Sequence, residues 1–91
     1  MDQIKIGKFI SHCRKEKNIT QAQLAEQLNI SNRAVSKWET GKSCPDASIM
    51  LDLCDILGIS VNELLTGERI EMEEYYKNAE TEEIETAAKR I

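Results

Sequence analysis

Residues 20–39 constrain the fold of this 91-residue chain most strongly, because they contain two short helical patterns with almost no chain between them. Thr20 and Gln23 have the spacing of a helix-capping box, and apolar residues follow them at helical spacing. This apolar stripe stops at Asn29, and Ser31 is a suitable N-cap for a new helix. The sequence therefore predicts two consecutive helices joined by a tight turn.

The second predicted helix has two chemically different faces. Val35 and Trp38 point to one side of it, whereas the residues on the opposite side are polar. These polar residues are Asn32, Arg33, Ser36 and Lys37. A helix with such a polar face, preceded by a packed bracing helix, indicates a helix-turn-helix motif. Since Trp38 lies on the apolar side, we expect it to belong to the core.

Three further helices are predicted around this pair. A first helix over about residues 2–17 has apolar residues at helical spacing, with Gly7 as a tolerated weak position inside it. A fourth helix over residues 46–58 begins at an aspartate N-cap and ends at a glycine. A second capping box at residues 60–63 opens a short fifth helix. The sequence thus predicts one small all-α domain of five helices over residues 1–67.

The charge of the chain is divided unevenly along its length. Residues 1–67 carry eight acidic and eight basic side chains, whereas residues 68–91 carry eight glutamates against four basic side chains. The net charge of −4 therefore belongs to the second segment. Within the first segment, every base lies at or before Lys42, and four of the acids lie at or after Asp46. A basic front half of this kind can attract DNA to one face although the whole chain is acidic.

Residues 68–91 form a separate acidic element. They contain a sparse set of apolar residues at helical offsets: Ile84, Ala87, Ala88 and Ile91. The composition fits a mobile tail, and the spacing equally fits a weak amphipathic helix that becomes stable only against a partner. We expect this segment to serve dimerisation or partner binding. The sequence is also compatible with the front part of a longer protein.

Composition excludes several classes of protein. No apolar run approaches the roughly 18 residues that cross a membrane, and the N-terminus has no signal-peptide pattern. Cys13, Cys44 and Cys54 have the spacing of neither a zinc site nor a disulfide framework, which favours a soluble protein of the reducing cytoplasm. Because the chain has one histidine and no Gly-rich phosphate loop, we expect no metal, no cofactor and no enzymatic activity.

The motifs of residues 6–67 resemble those of the Cro/C1-type helix-turn-helix family, the DNA-binding domains of phage repressors and of many small bacterial regulators. The resemblance is carried by Arg14, Ile19-Thr20-Gln21, Leu24-Ala25, Asn29-Ile30-Ser31, Val35-Ser36-Lys37-Trp38-Glu39, Gly41-Lys42, Pro45, Leu57-Gly58-Ile59-Ser60-Val61 and Leu64-Leu65. It implies a compact lambda-repressor-like fold. Two positions depart from the family pattern: Asn32 replaces the usual Gln that opens the recognition helix, and Asn29 replaces the usual Gly of the turn.

The resemblance also implies which residues touch DNA. The helix over residues 32–39 would lie in the major groove, with four residues near the bases: Asn32, Arg33, Ser36 and Lys37. Arginine can hold guanine, and asparagine can hold adenine, through two hydrogen bonds. Gln21 at the first turn of the preceding helix would hold a phosphate, as would Lys42 and Ser43 just after the recognition helix.

Two further expectations follow from the resemblance. Arg14 of the first helix would pair with Glu39 at the end of the recognition helix and fix its angle. The protein would act as a homodimeric transcription regulator, in the first place a repressor, on an inverted repeat in double-stranded DNA. The alternative is a protein-interaction module of the same fold, of the antitoxin or anti-repressor type, that acts mainly through residues 68–91.

Overall fold

The computed structural model describes residues 2–70, which form five α-helices and no β-strand. The helices are α1 (Gln3–Glu16), α2 (Gln21–Leu28), α3 (Asn32–Glu39), α4 (Ala47–Leu57) and α5 (Val61–Thr66). The predicted all-α fold with five helices is therefore confirmed, and α1 differs from its predicted bounds by one residue at each end. From residue 71 onward, the acidic segment lies outside the described residues. Its two predicted structures, a mobile tail and a weak amphipathic helix, therefore stay predictions.

Each helix begins after a residue whose side chain accepts a backbone N–H of the first turn. These N-caps are Asp2, Thr20, Ser31, Asp46 and Ser60. Thr20 and Ser60 form complete capping boxes with Gln23 and Glu63, as the sequence predicts. Because replacement of an N-cap by alanine typically costs about 1 kcal/mol, these short polar residues help to fix where each helix starts.

The turn between α2 and α3 depends on a residue in the left-handed conformation. Asn29 has φ 57° and ψ 43°, a conformation that asparagine adopts more readily than most other residues with a side chain. The N–H of Ile30 donates to the carbonyl of Ala25 at 3.0 Å and closes the end of α2. Since Ser31 then caps α3, this short turn sets the direction in which α3 leaves α2.

All five helices contribute apolar side chains to one core. The largest fully buried side chains are those of Ile10, Leu24, Leu53, Leu57, Leu64, Val35 and Cys13. Trp38 is 5% exposed and packs in the same cluster, so its predicted core position is confirmed. α3 contacts both α1 and α2, while α1 also contacts α4 and α5. The rest of the domain therefore holds α3 through two different helices.

Gly7 marks a close approach between the backbones of α1 and α3. A Cβ atom at this position would collide with the carbonyl oxygen of Trp38. The same carbonyl accepts the N–H of Gly41 at 3.1 Å, so it cannot move without disturbing the end of α3. Gly7 is therefore more than a weak position in α1. Its missing side chain allows the C-terminal end of α3 to lie directly against α1.

The chain continues to contact α1 after α5 ends. Lys5 forms an ion pair with Glu68, and Nη2 of Arg69 donates to Oε1 of Glu16 at 2.6 Å. Both pairs are exposed to solvent. Because exposed ion pairs contribute at most about 1 kcal/mol each, these contacts hold Glu68 and Arg69 to α1 only weakly.

Candidate nucleic-acid interface

The outward face of α3 carries the polar residues that the sequence predicts for base contacts. Asn32, Arg33 and Lys37 are exposed, and Ser36 is partly exposed. Val35, on the opposite side of the helix, is completely buried. Within residues 2–70, neither cation of this face forms an ion pair. Two cations and two neutral polar side chains on one exposed face can donate hydrogen bonds to base edges and attract phosphates.

The inner end of α3 is fixed to α1 by an ion pair. Nε of Arg14 donates to Oε2 of Glu39 at 2.7 Å, and Nη2 donates to Oε1 at 2.9 Å. The two side chains are 11% and 6% exposed. Nη1 of Arg14 also donates to the carbonyl of Ile19 at 2.9 Å. One guanidinium thus joins α1 to α3 and to the segment before α2, and the structure brings together the two residues for which the resemblance implies a pair.

Both members of this pair are held in their charged forms. Burial alone would raise the pKa of Glu39, but the hydrogen bonds from Arg14 and Gln21 outweigh burial and leave that pKa below its ordinary value. The hydrogen bond to Glu39 raises the pKa of Arg14. Within residues 2–70, every buried side-chain nitrogen and oxygen atom has a hydrogen-bond partner. Removal of either member would therefore leave an uncompensated charge in a buried place.

Gln21 lies in the first turn of α2, beside the end of α3. Its Nε2 donates to Oε1 of Glu39 at 3.0 Å, and the same oxygen accepts from Arg14. The residue is partly exposed. The family resemblance implies a phosphate contact for Gln21. The hydrogen bond to Glu39 is not predicted from the sequence, because no spacing rule joins residues of two different helices. The bond connects α2 to the ion pair between α1 and α3.

The loop after α3 holds the remaining residues predicted to contact phosphates. Lys42 is exposed and Ser43 is partly exposed. Their N–H groups both donate to the carbonyl of Lys37, at 2.9 and 3.4 Å, so that the loop turns back on the last turn of α3. Gly41 has φ 76°, which permits this sharp turn. The loop therefore carries Lys42 and Ser43 directly beside the C-terminal end of α3.

The described part of the chain has no cluster of metal-ligating side chains. No group of three or more His, Cys, Asp and Glu residues within residues 2–70 is placed to hold a metal ion. Cys13 and Cys54 lie in the core, where burial raises the pKa of both thiols. Cys44 is partly buried and packs against the core. None of the helices found in this range is both long enough and apolar enough to cross a membrane.

The relation of α2 to α3, with one face of α3 packed and the other exposed, is that of a helix-turn-helix domain. A sequence profile of the helix-turn-helix family matches residues 10–64. The chain belongs to the Cro/C1-type helix-turn-helix family of transcription regulators. The resemblance found in the sequence motifs is thus confirmed.

Relatives in this family include regulators from bacteria and phages. The HTH-type transcriptional activator BcrR of Enterococcus faecalis is 41% identical over 61 residues, which are 67% of this chain and 30% of BcrR. The cryptic phage CTXphi transcriptional repressor RstR of Vibrio cholerae is 36% identical over 61 residues, which are 67% of this chain and 54% of RstR. The chain therefore spans only part of the length of each of these relatives.

Solved structures of the same fold include the P22 c2 repressor protein in complex with a synthetic operator. The similarity has a TM-score of 0.66 at 35% identity and covers 69% of this chain and 96% of that chain. The restriction-modification controller protein C.AhdI from Aeromonas hydrophila gives a TM-score of 0.64 at 27% identity and covers 69% of this chain and 96% of that chain. These similarities confirm the lambda-repressor-like fold that the resemblance implies.

Proposed function

We propose that this protein is a sequence-specific regulator of transcription that binds double-stranded DNA as a homodimer and acts as a repressor. The observation that carries the proposal is the division of α3 into a fixed inner side and an exposed polar outer side. Val35 and Trp38 pack into the core, and Glu39 pairs with Arg14. A helix held in this way can present its outer side chains to a ligand in a defined geometry.

The outer face of α3 has the chemistry needed to read bases in the major groove. That groove is about 12 Å wide and admits an α-helix. The N-terminal residues of a recognition helix lie nearest to the base edges, so Asn32 and Arg33 come first, with Ser36 and Lys37 one turn further on. We assign Arg33 to O6 and N7 of a guanine, and Asn32 to N6 and N7 of an adenine.

The residues on either side of α3 are proposed to fix the position of the protein on the DNA backbone. Gln21 and the first N–H groups of α2, which have no partner within the helix, can hold one phosphate together. Lys42 and Ser43 would hold phosphates beside the other end of α3. Support for DNA as the partner comes from the c2 repressor, whose structure is that of an operator complex and which is 35% identical.

The proposed dimer binds two half-sites of an inverted repeat, about 34 Å apart along one face of the duplex. The contact between protomers is proposed to use the surface around α5, with residues 68–91 extending or replacing that surface. Repression is supported by the immunity repressor of Bacillus phage phi105, which is 33% identical over 88 residues, 94% of this chain and 59% of that protein. This similarity extends beyond α5 into the acidic segment.

Selection of bound sequences from a random pool of double-stranded DNA tests the proposal. We expect enrichment of a palindrome, bound by a complex with the mass of two protomers in analytical ultracentrifugation. The absence of any enriched sequence would contradict sequence-specific binding, and a complex with one protomer would contradict the homodimer. A promoter that carries the enriched site before a reporter should be repressed, and an increase in transcription would instead show an activator.

A second candidate function is a protein-interaction module, of the antitoxin or anti-repressor type, that acts mainly through residues 68–91. One relative favours this function by its name. Multiprotein-bridging factor 1c of Arabidopsis thaliana is 32% identical over 63 residues, which are 67% of this chain and 43% of that protein. Truncation after Ile70 separates the two functions. Loss of a protein partner at unchanged DNA affinity would favour the interaction module, whereas loss of dimerisation and palindrome binding would favour the regulator.

A further inference from the structure

Glu39 is one acceptor shared by two other helices. Its Oε1 accepts hydrogen bonds from Nη2 of Arg14 at 2.9 Å and from Nε2 of Gln21 at 3.0 Å. Its Oε2 accepts from Nε of Arg14 at 2.7 Å. The side chain of Glu39 is only 6% exposed. The last residue of α3 therefore contacts α1 and the first turn of α2 through a single buried carboxylate.

The charge of Glu39 decides which end of the Gln21 amide faces it. An ionised carboxylate has only acceptor atoms, so Gln21 must turn its NH₂ group toward Glu39 and its carbonyl oxygen away. One of the two hydrogens on Nε2 is used in this bond, and the second is left for another acceptor. A neutral amide at position 39 would accept either orientation. The orientation of Gln21 is thus determined by the carboxylate of Glu39.

We propose that Glu39 is a positioning residue for DNA binding, because it orients the Gln21 amide so that the second hydrogen on Nε2 is donated to a phosphate oxygen. This inference rests on the proposed function and adds Glu39 to the residues that determine the backbone contact. Glu39 does not touch DNA in this arrangement and acts through Gln21. Since the hydrogen bond to Glu39 already restricts the side chain of Gln21 in the free protein, less conformational entropy is lost on binding.

Arg14 allows a carboxylate to lie close to a phosphate site. Two negative groups repel each other, so an unpaired Glu39 would weaken the binding of a phosphate to Gln21. Arg14 compensates this charge through its two hydrogen bonds to Glu39. The ion pair therefore has a second effect besides the angle of α3. With its charge compensated, the carboxylate of Glu39 can orient the NH₂ group of Gln21 toward a negatively charged phosphate.

The side-chain amide of Gln21 tests the orientation by NMR in the absence of DNA. Gln27 is a matched control, because it is an exposed glutamine of the same helix. We expect the two Nε2 protons of Gln21 to be further apart in chemical shift, and to exchange with water more slowly, than those of Gln27. E39Q should remove this difference. Amide protons of Gln21 that match those of Gln27 in the unmodified protein would overturn the inference.

A double-mutant cycle tests the effect on DNA binding. On the selected palindrome, Q21A should weaken binding by roughly three- to tenfold, the range expected for one hydrogen bond. E39Q should cause a smaller loss, because the neutral amide at position 39 still accepts the productive orientation of Gln21 part of the time. E39Q should weaken binding less in the Q21A background than in the unmodified protein, because the part of its effect that passes through Gln21 is then absent and only the effect on the angle of α3 is left. Q27A should leave the affinity unchanged. Affinities are measured at a temperature at which circular dichroism shows that each variant is fully folded.

A failure of this inference can be distinguished from a failure of the proposed function. An equal loss from E39Q in both backgrounds would overturn the positioning role, because it would show that Glu39 acts only through the angle of α3. If E39Q does not fold, the NMR comparison of Gln21 with Gln27 in the unmodified protein still decides the orientation. If the proposed function is wrong, the unmodified protein selects no DNA although the NMR difference between Gln21 and Gln27 persists.

Discussion

The two sides of α3 belong to the same helix of eight residues but are held in different ways. On the inner side, Val35 is completely buried, Trp38 is 5% exposed and the side chain of Glu39 is 6% exposed. On the outer side, Arg33 and Lys37 are exposed and form no ion pair within residues 2–70. Inner residues therefore determine how α3 is held, and outer residues determine what it can bind. Substitutions on the two sides should change different measurements.

The largest effect is expected on the inner side, from Arg14→Met. This substitution leaves the buried carboxylate of Glu39 without its counter-charge, and breaking a buried pair in this way typically costs roughly 3–5 kcal/mol of the free energy of unfolding. Urea unfolding followed by the fluorescence of Trp38 measures the loss. Addition of Glu39→Gln should restore part of the stability, because the unpaired charge is then removed. A loss well below about 1 kcal/mol would show that the pair behaves as an exposed one.

Gly7→Ala should lower both the stability of the fold and the affinity for DNA. In an exposed helix, Gly→Ala stabilises by up to about 1 kcal/mol. Here the new methyl group would collide with the carbonyl oxygen of Trp38, and overpacking of this kind costs about 1–3 kcal/mol. Since α3 must shift to relieve the collision, the affinity for the selected palindrome should also fall. Lys8→Ala, at an exposed neighbouring position, is the control for stability. A stabilised Gly7→Ala variant would contradict the close packing of α1 on α3.

Arg33→Ala should change binding and leave folding unaffected. An exposed residue outside the core usually changes stability by less than about 0.5 kcal/mol. Loss of the two hydrogen bonds to a guanine should remove roughly 1–3 kcal/mol of discrimination at one base pair of each half-site. Repetition of the DNA selection with this variant shows which position has become degenerate. A uniform loss at all positions would contradict the assignment of Arg33 to a base.

Lys42→Ala should give a smaller loss that is the same for all sequences. A phosphate contact carries no direct sequence information, so the preference for the palindrome should stay unchanged. The slope of log K against log salt concentration should become shallower by about 0.9, the value for one phosphate that is no longer neutralised. Titrations at several salt concentrations measure this slope. An altered base preference in Lys42→Ala would place this lysine at a base and not at a phosphate.

Local sequence signals are sufficient to predict where the helices of this domain start. The hydrogen bond from the backbone of Gln23 to Thr20, for example, joins residues only three positions apart, so its partner can be found from the sequence. The apolar spacing likewise predicts the burial of Trp38, because helical periodicity alone decides which side of α3 it occupies. The asparagine at position 29 is compatible with a left-handed turn for a reason that is also local.

Contacts between helices require the packed structure. Gln21 and Glu39 are 18 positions apart, and their hydrogen bond depends on how α2 lies against α3. Gly7 looks like a weakness of α1 in the sequence, because nothing local shows that the backbone of α3 passes beside it. The pairing of Arg14 with Glu39 was accessible only through a family resemblance. The contacts of the outer face with bases and phosphates stay predictions, since their geometry is set by a partner.

Acidification should reduce the stability contributed by the inner side of α3, which contains the carboxylate of Glu39, and should leave the contribution of the outer side unchanged. Burial alone would raise the pKa of Glu39, but its hydrogen bonds outweigh this effect, so that the pKa in the folded protein lies below the ordinary value of 4.5. The unfolded chain then binds more protons than the folded protein. The contribution of Glu39 to the free energy of unfolding is therefore complete above the ordinary pKa and is lost as the pH falls through the folded-state pKa.

The outward residues of α3 include no carboxylate. In urea unfolding between about pH 3 and pH 7, Arg33→Ala should follow the unmodified protein, whereas Glu39→Gln should lose stability less steeply toward low pH. Equal changes in both variants would mean that the outer side also determines how α3 is held.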